Sequence, residues 1–333
     1  MDNVGKPETP AFVASRRSAL SAGVAAGFGA LWNGGSASAV DYEVHIGELV
    51  VSGGPLPLTV ALGTGPPYFQ KDVEFAIDAG YRVFDTAQEY GSEEAVGNAL
   101  KKAFKAGKLK REEVFVTTKV DIYNMGYEST IRSVRESFDL LGRLDGGIDL
   151  VLIHWPCPFI PKNEPGAIEK YSNVRRATWE ALEKLQRDGF AKQIGVSNFG
   201  KRHLKELLEY ATIRPAVNQV EVHPYNQRVD LEKLVRSEGI RFEAYSPLGK
   251  GRIGLFEDPV LTRIANAKNK SVAAVILRWL LQRGITPIAL SRNEERLREN
   301  LDVFGFALSQ DEMLAIAKLE RGEFVIMDDE RLA

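Results

Sequence analysis

The stretch "YRVFDTAQEYGSEEAVGNALKKAFKAG", residues 81–107, decides the fold. Its first five residues are a short apolar run of β character that ends on a carboxylate, Asp85. A turn carrying a phenol, Tyr90, follows. A helical pattern then opens at Ser92, an N-cap residue type, with Glu93 and Glu94 in the first turn, where the helix dipole favours negative charge. A strand that hands over to a helix in this way is one βα unit. Neither Asp85 nor Tyr90 packs a core well where it stands, so both are candidates for chemistry.

The unit recurs along the chain. "LTVALG" (58–63) precedes it, and "VFVTTK" (114–119), "IDLVLIH" (148–154), "KQIGVSN" (192–198), "AVNQVEV" (216–222), "RFEAYS" (241–246) and "TPIALS" (286–291) follow, each leading into a helical pattern. Gly80, Gly142, Gly189, Gly239 and Gly284 stand just past helical runs, where a left-handed C-cap residue belongs. Strict alternation of strand and helix means parallel strands joined by right-handed crossovers. Eight such units predict a (β/α)8 TIM barrel, with an open doubly wound sheet as the alternative. The preceding "YEVHIGELVVSGGPLPLTV" reads as a β-hairpin, with Gly53-Gly54 between two apolar runs, placed to plug the barrel bottom.

A barrel of this kind carries its chemistry at the C-terminal ends of its strands. The polar residues that are out of place in apolar strands cluster there: Asp85, Lys119, His154, Ser197-Asn198, Gln219, Tyr245-Ser246 and Ser291. Scattered polar residues that merely satisfy the core would not show that bias.

The 43 lysines and arginines nearly cancel the 45 aspartates and glutamates, leaving a formal charge of -2, so no basic field for nucleic acid follows. Cys157 is the one cysteine, which excludes an intramolecular disulfide and a multi-thiolate metal site, and no metal is expected. Residues 1–40 read as a segment apart from a single barrel domain over 41–333. They hold Arg16-Arg17, a weakly apolar run from Ala19 to Trp32, and Ala37-Ser38-Ala39. That layout resembles a twin-arginine export signal, and the run is too short and too rich in Gly and Ala to span a bilayer in the mature protein. Periplasm or thylakoid lumen is the expected destination. A disordered tail with incidental arginines, in cytoplasm or plastid stroma, is the alternative.

"FDTAQEYGSEEAVGNAL", "VTTKV", "LIHWPCP", "IGVSNF", "NQVEVHPY", "AYSPLG" and "SRNEERLRENLDVF" follow one another as they do in the aldo-keto reductases. Any one alone is weak, but seven in order over residues 58–308 make chance agreement improbable. The resemblance implies a (β/α)8 barrel that binds NADP(H), or less often NAD(H), without a dinucleotide glycine fingerprint. No G-x-G-x-x-G follows any strand here. It also implies a small-molecule carbonyl substrate and a reaction in which an aldehyde or ketone becomes an alcohol. A monomer is expected.

Carbonyl reduction delivers hydride to carbon and a proton to oxygen, and a phenol of ordinary pKa about 10 is a poor acid at neutral pH. A nearby ammonium lowers it. By resemblance Tyr90 is the general acid, Lys119 supplies the charge, Asp85 holds the lysine, and His154 orients the carbonyl oxygen. Trp155 is placed to line the substrate pocket.

The cofactor contacts also come by resemblance. Tyr245 stacks on the nicotinamide, while Ser197, Asn198 and Gln219 hold its carboxamide. Ser246, Pro247, Leu248 and Gly249 begin the loop over the pyrophosphate. Ser291 and Arg296 match the contacts to the adenosine 2′-phosphate, and Glu299 and Asn300 those to the adenine. One departure matters: Leu290 stands where the NADP(H)-binding members commonly have lysine. Loss of one charge-assisted contact costs about 1.5–3 kcal/mol, so NADPH is favoured with NADH use open, and Arg292 is placed to compensate. The short ending "RGEFVIMDDERLA" predicts an open pocket, with the Pro-rich stretch from Trp155 to Val174 as its other wall. A regulatory or binding protein on the same barrel is the competing reading, as is a stress-related protein with incidental reductase activity.

Overall fold

The computed structural model describes residues 49–51, 54–66, 68–158, 166–329 and 332. The export-like segment over residues 1–40 lies outside them. Two short strands, β1 (Leu49–Val51) and β2 (Gly54–Leu56), pair antiparallel with Leu49 opposite Leu56, which is the expected hairpin. The carbonyl of Pro57, just after it, accepts from Arg241 Nη2 and Thr286 Oγ1, both at 3.3 Å, at the N-terminal ends of two barrel strands. The chain therefore leaves the hairpin at the barrel bottom.

The eight expected strands all form: β3 (Ala61–Gly63), β4 (Val83–Asp85), β5 (Phe115–Val120), β6 (Ile148–Ile153), β7 (Ala191–Ser197), β8 (Val217–Glu221), β9 (Arg241–Tyr245) and β10 (Thr286–Ala289). Every neighbouring pair is parallel, and β10 pairs with both β9 and β3, so the sheet closes. Closure rules out the open doubly wound alternative. The helices that return the chain are α1 (Gln70–Ala79), α2 (Glu93–Lys105), α3 (Tyr127–Leu140), α4 (Ala167–Arg187), α5 (Lys201–Tyr210), α6 (Val229–Ser237), α7 (Pro259–Lys268), α8 (Val272–Gln282), α9 (Glu294–Leu301) and α10 (Gln310–Ala317). Helix α4 begins at Ala167, so the stretch expected to be a loop up to Val174 is helical from there on.

Alternate strand residues face opposite sides of the sheet. Outward ones such as Phe84, Val116, Val151, Val220 and Phe242 join the helices in the main apolar core, which includes the fully buried Trp179 and Trp279. The lower barrel interior is filled by Ala61, Val83, Phe115 and Ile288 and by Leu150, Leu152 and Val217. Gly195 on β7 gives that layer room: a Cβ there would stand 2.8 Å from Leu152 Cδ2 and 2.7 Å from the Val217 carbonyl oxygen. The upper interior is polar.

Ser92 occupies the N-cap position of α2, but its side chain does not cap the helix. It is buried and instead donates to the Thr64 carbonyl at 2.9 Å and pairs with Thr86 Oγ1 at 2.8 Å, tying the tops of β3 and β4 together. A buried hydroxyl is most stable where both donor and acceptor capacity are used, and the strand tops offer both. Nearby, buried Glu93 accepts from Thr118 Oγ1 at 2.5 Å.

Candidate active site

The residues expected at strand ends meet at the top of the barrel. Asp85 is the last residue of β4, Lys119 stands one residue before the end of β5, and His154 follows β6. Tyr90 closes a 3-10 turn, Gln88–Tyr90, in the loop from β4 to α2. Lys119 Nζ donates to Asp85 Oδ1 at 2.5 Å and to the Thr86 carbonyl at 3.1 Å, and it lies 5.0 Å from the centre of the Tyr90 ring. The Tyr90 and His154 rings meet edge to face at 5.5 Å. His154 in turn stacks on Trp155 at 6.0 Å.

Burial is the largest single influence on Tyr90, Lys119 and His154. It pushes the Tyr90 phenol up, and the Lys119 ammonium pulls it back without cancelling the rise. The expected net lowering of Tyr90 is therefore not found in the protein alone, because desolvation of a phenolate outweighs one cation already shared with Asp85. For Lys119 burial acts downward, but Asp85 and then Tyr90 more than offset it, so its pKa is raised and the ammonium persists. His154 is held well below the ordinary histidine range, by burial first and by Lys119 second, and is a neutral imidazole at physiological pH.

Three residues missed in the sequence belong to this cluster. Glu89, beside Tyr90, brings Oε2 to 3.3 Å from His154 Nδ1, and its carboxyl is raised by burial and by Asp121. Thr86 contributes the carbonyl already named, and Glu243 lies inside the barrel below. No motif singles them out; only Glu89's adjacency to Tyr90 was a signal.

The expected cofactor residues line the same rim. Asn198 Nδ2 donates to the His154 carbonyl at 2.9 Å and to Ser197 Oγ at 3.1 Å, while its Oδ1 accepts from the Tyr245 hydroxyl at 2.7 Å. Gln219 Nε2 donates to Asp85 Oδ2 at 2.8 Å and to Glu243 Oε2 at 3.1 Å. Asn198 is thus fully engaged, whereas Gln219 Oε1 is left as an acceptor and the Ser197 hydroxyl keeps its proton to donate. A carboxamide offers one amino donor and one carbonyl acceptor, and this pair is complementary to it. The donor set fits a nicotinamide.

Ser246 takes a left-handed φ of 48° and accepts from Gly249 N at 3.0 Å, turning the chain back with Leu248 half-buried in the turn. At the other end of the site, Asn293 caps α9 by accepting from Arg296 N at 3.0 Å, and Ser291 Oγ accepts from Asn293 N at 3.2 Å. Arg292 and Arg296 are both exposed at this helix start, where anions are favoured. Leu290 is exposed and reaches over Gly65, where a Cβ would meet its Cδ1 at 3.4 Å. Glu299 is half-buried, and Asn300 is buried beside the Tyr81 hydroxyl.

The short C-terminal tail is held at one point of the rim. Val325 and Ile326 donate backbone N–H groups to the Glu221 carboxylate at 2.6 and 2.8 Å, and Asp329 pairs with Arg228 at 2.6 Å. The tail is thereby pinned at the end of β8. Among the described residues no cluster of His, Cys, Asp or Glu could hold a metal ion, and no helix is long and apolar enough to cross a membrane.

The family model described as "Aldo/keto reductase family" matches residues 59–321. The glyoxal reductase of Bacillus subtilis is 45% identical over 255 residues, covering 77% of this chain and 84% of the relative. Aldose reductase C of Dictyostelium discoideum is 40% identical over 278 residues, covering 78% of this chain and 85% of its own. The crystal structure of a Bombyx mori aldo-keto reductase in complex with NADP superposes with a TM-score of 0.77 at 35% identity, over 86% of this chain and 97% of that one. The chain belongs to the aldo-keto reductase family and is an NAD(P)H-dependent carbonyl reductase.

Proposed function

We propose that the chain reduces small neutral aldehydes and ketones, with NADPH preferred over NADH and Tyr90 as the proton donor. The observation that carries this reading is the position of Lys119, 2.5 Å from Asp85 and 5.0 Å from the centre of the Tyr90 ring, with His154 against the same ring. When bound, NAD(P)H supplies the hydride that reaches the carbonyl carbon. Tyr90 Oη gives its proton to the carbonyl oxygen, and the adjacent ammonium stabilises the phenolate left behind. Asp85 keeps that ammonium charged and in place. Neutral His154 hydrogen-bonds the same oxygen through Nε2, which has no partner among the described residues, and Trp155 fixes its ring.

Support for NADPH comes from Arg292 and Arg296 at the start of α9 and from the relative solved with NADP. Support for small carbonyls comes from the glyoxal and aldose reductases among the relatives. The catalytic groups all lie within one chain, which supports action as a monomer; light scattering checks it. For residues 1–40 we keep export as a proposal resting on Arg16-Arg17 and the run that follows. N-terminal sequencing of the mature protein, finding a start near Val40 or at Met1, decides it.

Titration of residues 40–333 with NADPH and NADH, then turnover of a generic aldehyde, tests the whole reading. Tyr90→Phe should abolish reduction while cofactor affinity stays within about twofold, since only the proton donor is lost. Full turnover in that variant sinks the mechanism.

A further inference from the structure

Below the Asp85–Lys119 pair a second carboxylate lies inside the barrel. Glu243 stands two residues before Tyr245 on β9 and is 6% exposed. The β8–β9 register sets Gln219 opposite Glu243, so both side chains share the interior. Through Nε2, Gln219 donates one hydrogen to Asp85 Oδ2 and the other to Glu243 Oε2. An amide nitrogen has two hydrogens, and both are used. Turning the amide over would set its oxygen against two carboxylates. Held by Asp85 alone, the amide plane would swing about a single contact.

A buried carboxylate is costly, and burial pushes the Glu243 carboxyl up against the opposing pull of Arg241 and Gln219. Interior strand positions of a barrel are ordinarily apolar. Glu243 hydrogen-bonds none of Tyr90, Lys119 or His154, so its hydrogen-bonded link to the site runs through Gln219.

We infer that Glu243 is a positioning residue: together with Asp85 it holds the Gln219 amide at two points, so that Oε1 is presented as an acceptor to the amino group of the nicotinamide carboxamide. The inference rests on Gln219 as a carboxamide contact.

Calorimetric affinities for NADP+ and for its 3-acetylpyridine analogue, in which a methyl group replaces that amino group, test it without turnover. Wild type should bind NADP+ about threefold to tenfold more tightly than the analogue, the worth of one neutral hydrogen bond. In Glu243→Thr, where no side-chain oxygen reaches Nε2, NADP+ should weaken by that factor and the analogue should not change. Glu243→Gln keeps an acceptor oxygen at the same reach and should retain the preference. If the threonine variant gives no folded barrel, Glu243→Asp withdraws the oxygen by one methylene and should lose the preference likewise. An undiminished preference in the threonine or aspartate variant, or equal weakening of both ligands, overturns the inference while leaving the cofactor reading intact. A wild type that binds neither dinucleotide, or both alike, removes the carboxamide contact itself and this inference with it.

Discussion

Replacing Lys119 by methionine separates what the buried ammonium does for catalysis from what it does for the fold. Its Nζ is 5.0 Å from the centre of the Tyr90 ring, so at an effective dielectric of about 20 its attraction for a phenolate is roughly 3 kcal/mol, or about two pKa units. Without it the already raised Tyr90 phenol becomes a weaker acid still. Reduction should slow by about tenfold to a hundredfold. The same change leaves the buried Asp85 carboxylate without a countercharge, and removing one partner of a buried pair costs about 3–5 kcal/mol of stability. In Asp85→Asn/Lys119→Met both charges are gone, so most of the stability should return while the rate does not. Urea unfolding and NADPH-dependent aldehyde reduction, measured on the single and double variants, read the two effects separately. If activity returned along with stability, the slow rate of the single variant would reflect a damaged barrel, and the electrostatic account of Tyr90 would fall. The pair also has a pH signature. Because the folded Lys119 value is raised above 10.5, its stabilisation is full below that value and lost as pH climbs through the folded one. The methionine variant should lack that alkaline loss.

Leu290→Lys should tighten NADPH by about tenfold to a hundredfold and leave NADH nearly unchanged, by restoring a charge beside Arg292 and Arg296. Equal effects in fluorescence titration would mean that the 2′-phosphate lies elsewhere. Since Tyr90 is raised and His154 is held well below 6.5, kcat/KM for reduction should be flat from about pH 6 to 8, while alcohol oxidation, which needs the phenolate, should rise with pH. A histidine inflection in the reduction profile would contradict the neutral imidazole. Glu89 sets a carboxylate beside His154, so Glu89→Gln should raise kcat/KM for 4-carboxybenzaldehyde relative to benzaldehyde by about fivefold to tenfold, after allowing for solvent screening of an exposed group. An unchanged ratio would show that Glu89 does not face the substrate.

Much of this molecule is legible in local pattern. Strand and helix periodicity, glycine stops such as Gly80 at φ 112°, and the bias of Asp85, Lys119, His154 and Ser197 to strand ends depend on residues close in sequence, and they specify a barrel with its chemistry at one rim. What a side chain does once there is decided by partners that only closure of the sheet supplies. Ser92 has the residue type of a helix cap, yet its hydroxyl serves Thr64, 28 residues away. Gln219 takes its amide orientation from Asp85, 134 residues away, and Glu243, 24 residues away. Glu221 pins a tail 104 residues downstream. The balance on Tyr90 depends on how deeply the closed barrel buries the phenol, a quantity that no stretch of the chain carries by itself. The residues proposed as acid, ammonium and carboxylate were legible in the sequence as candidates; their acidities, orientations and additional partners arise from the tertiary structure, because desolvation and long-range hydrogen bonding exist only once the eight strands have met.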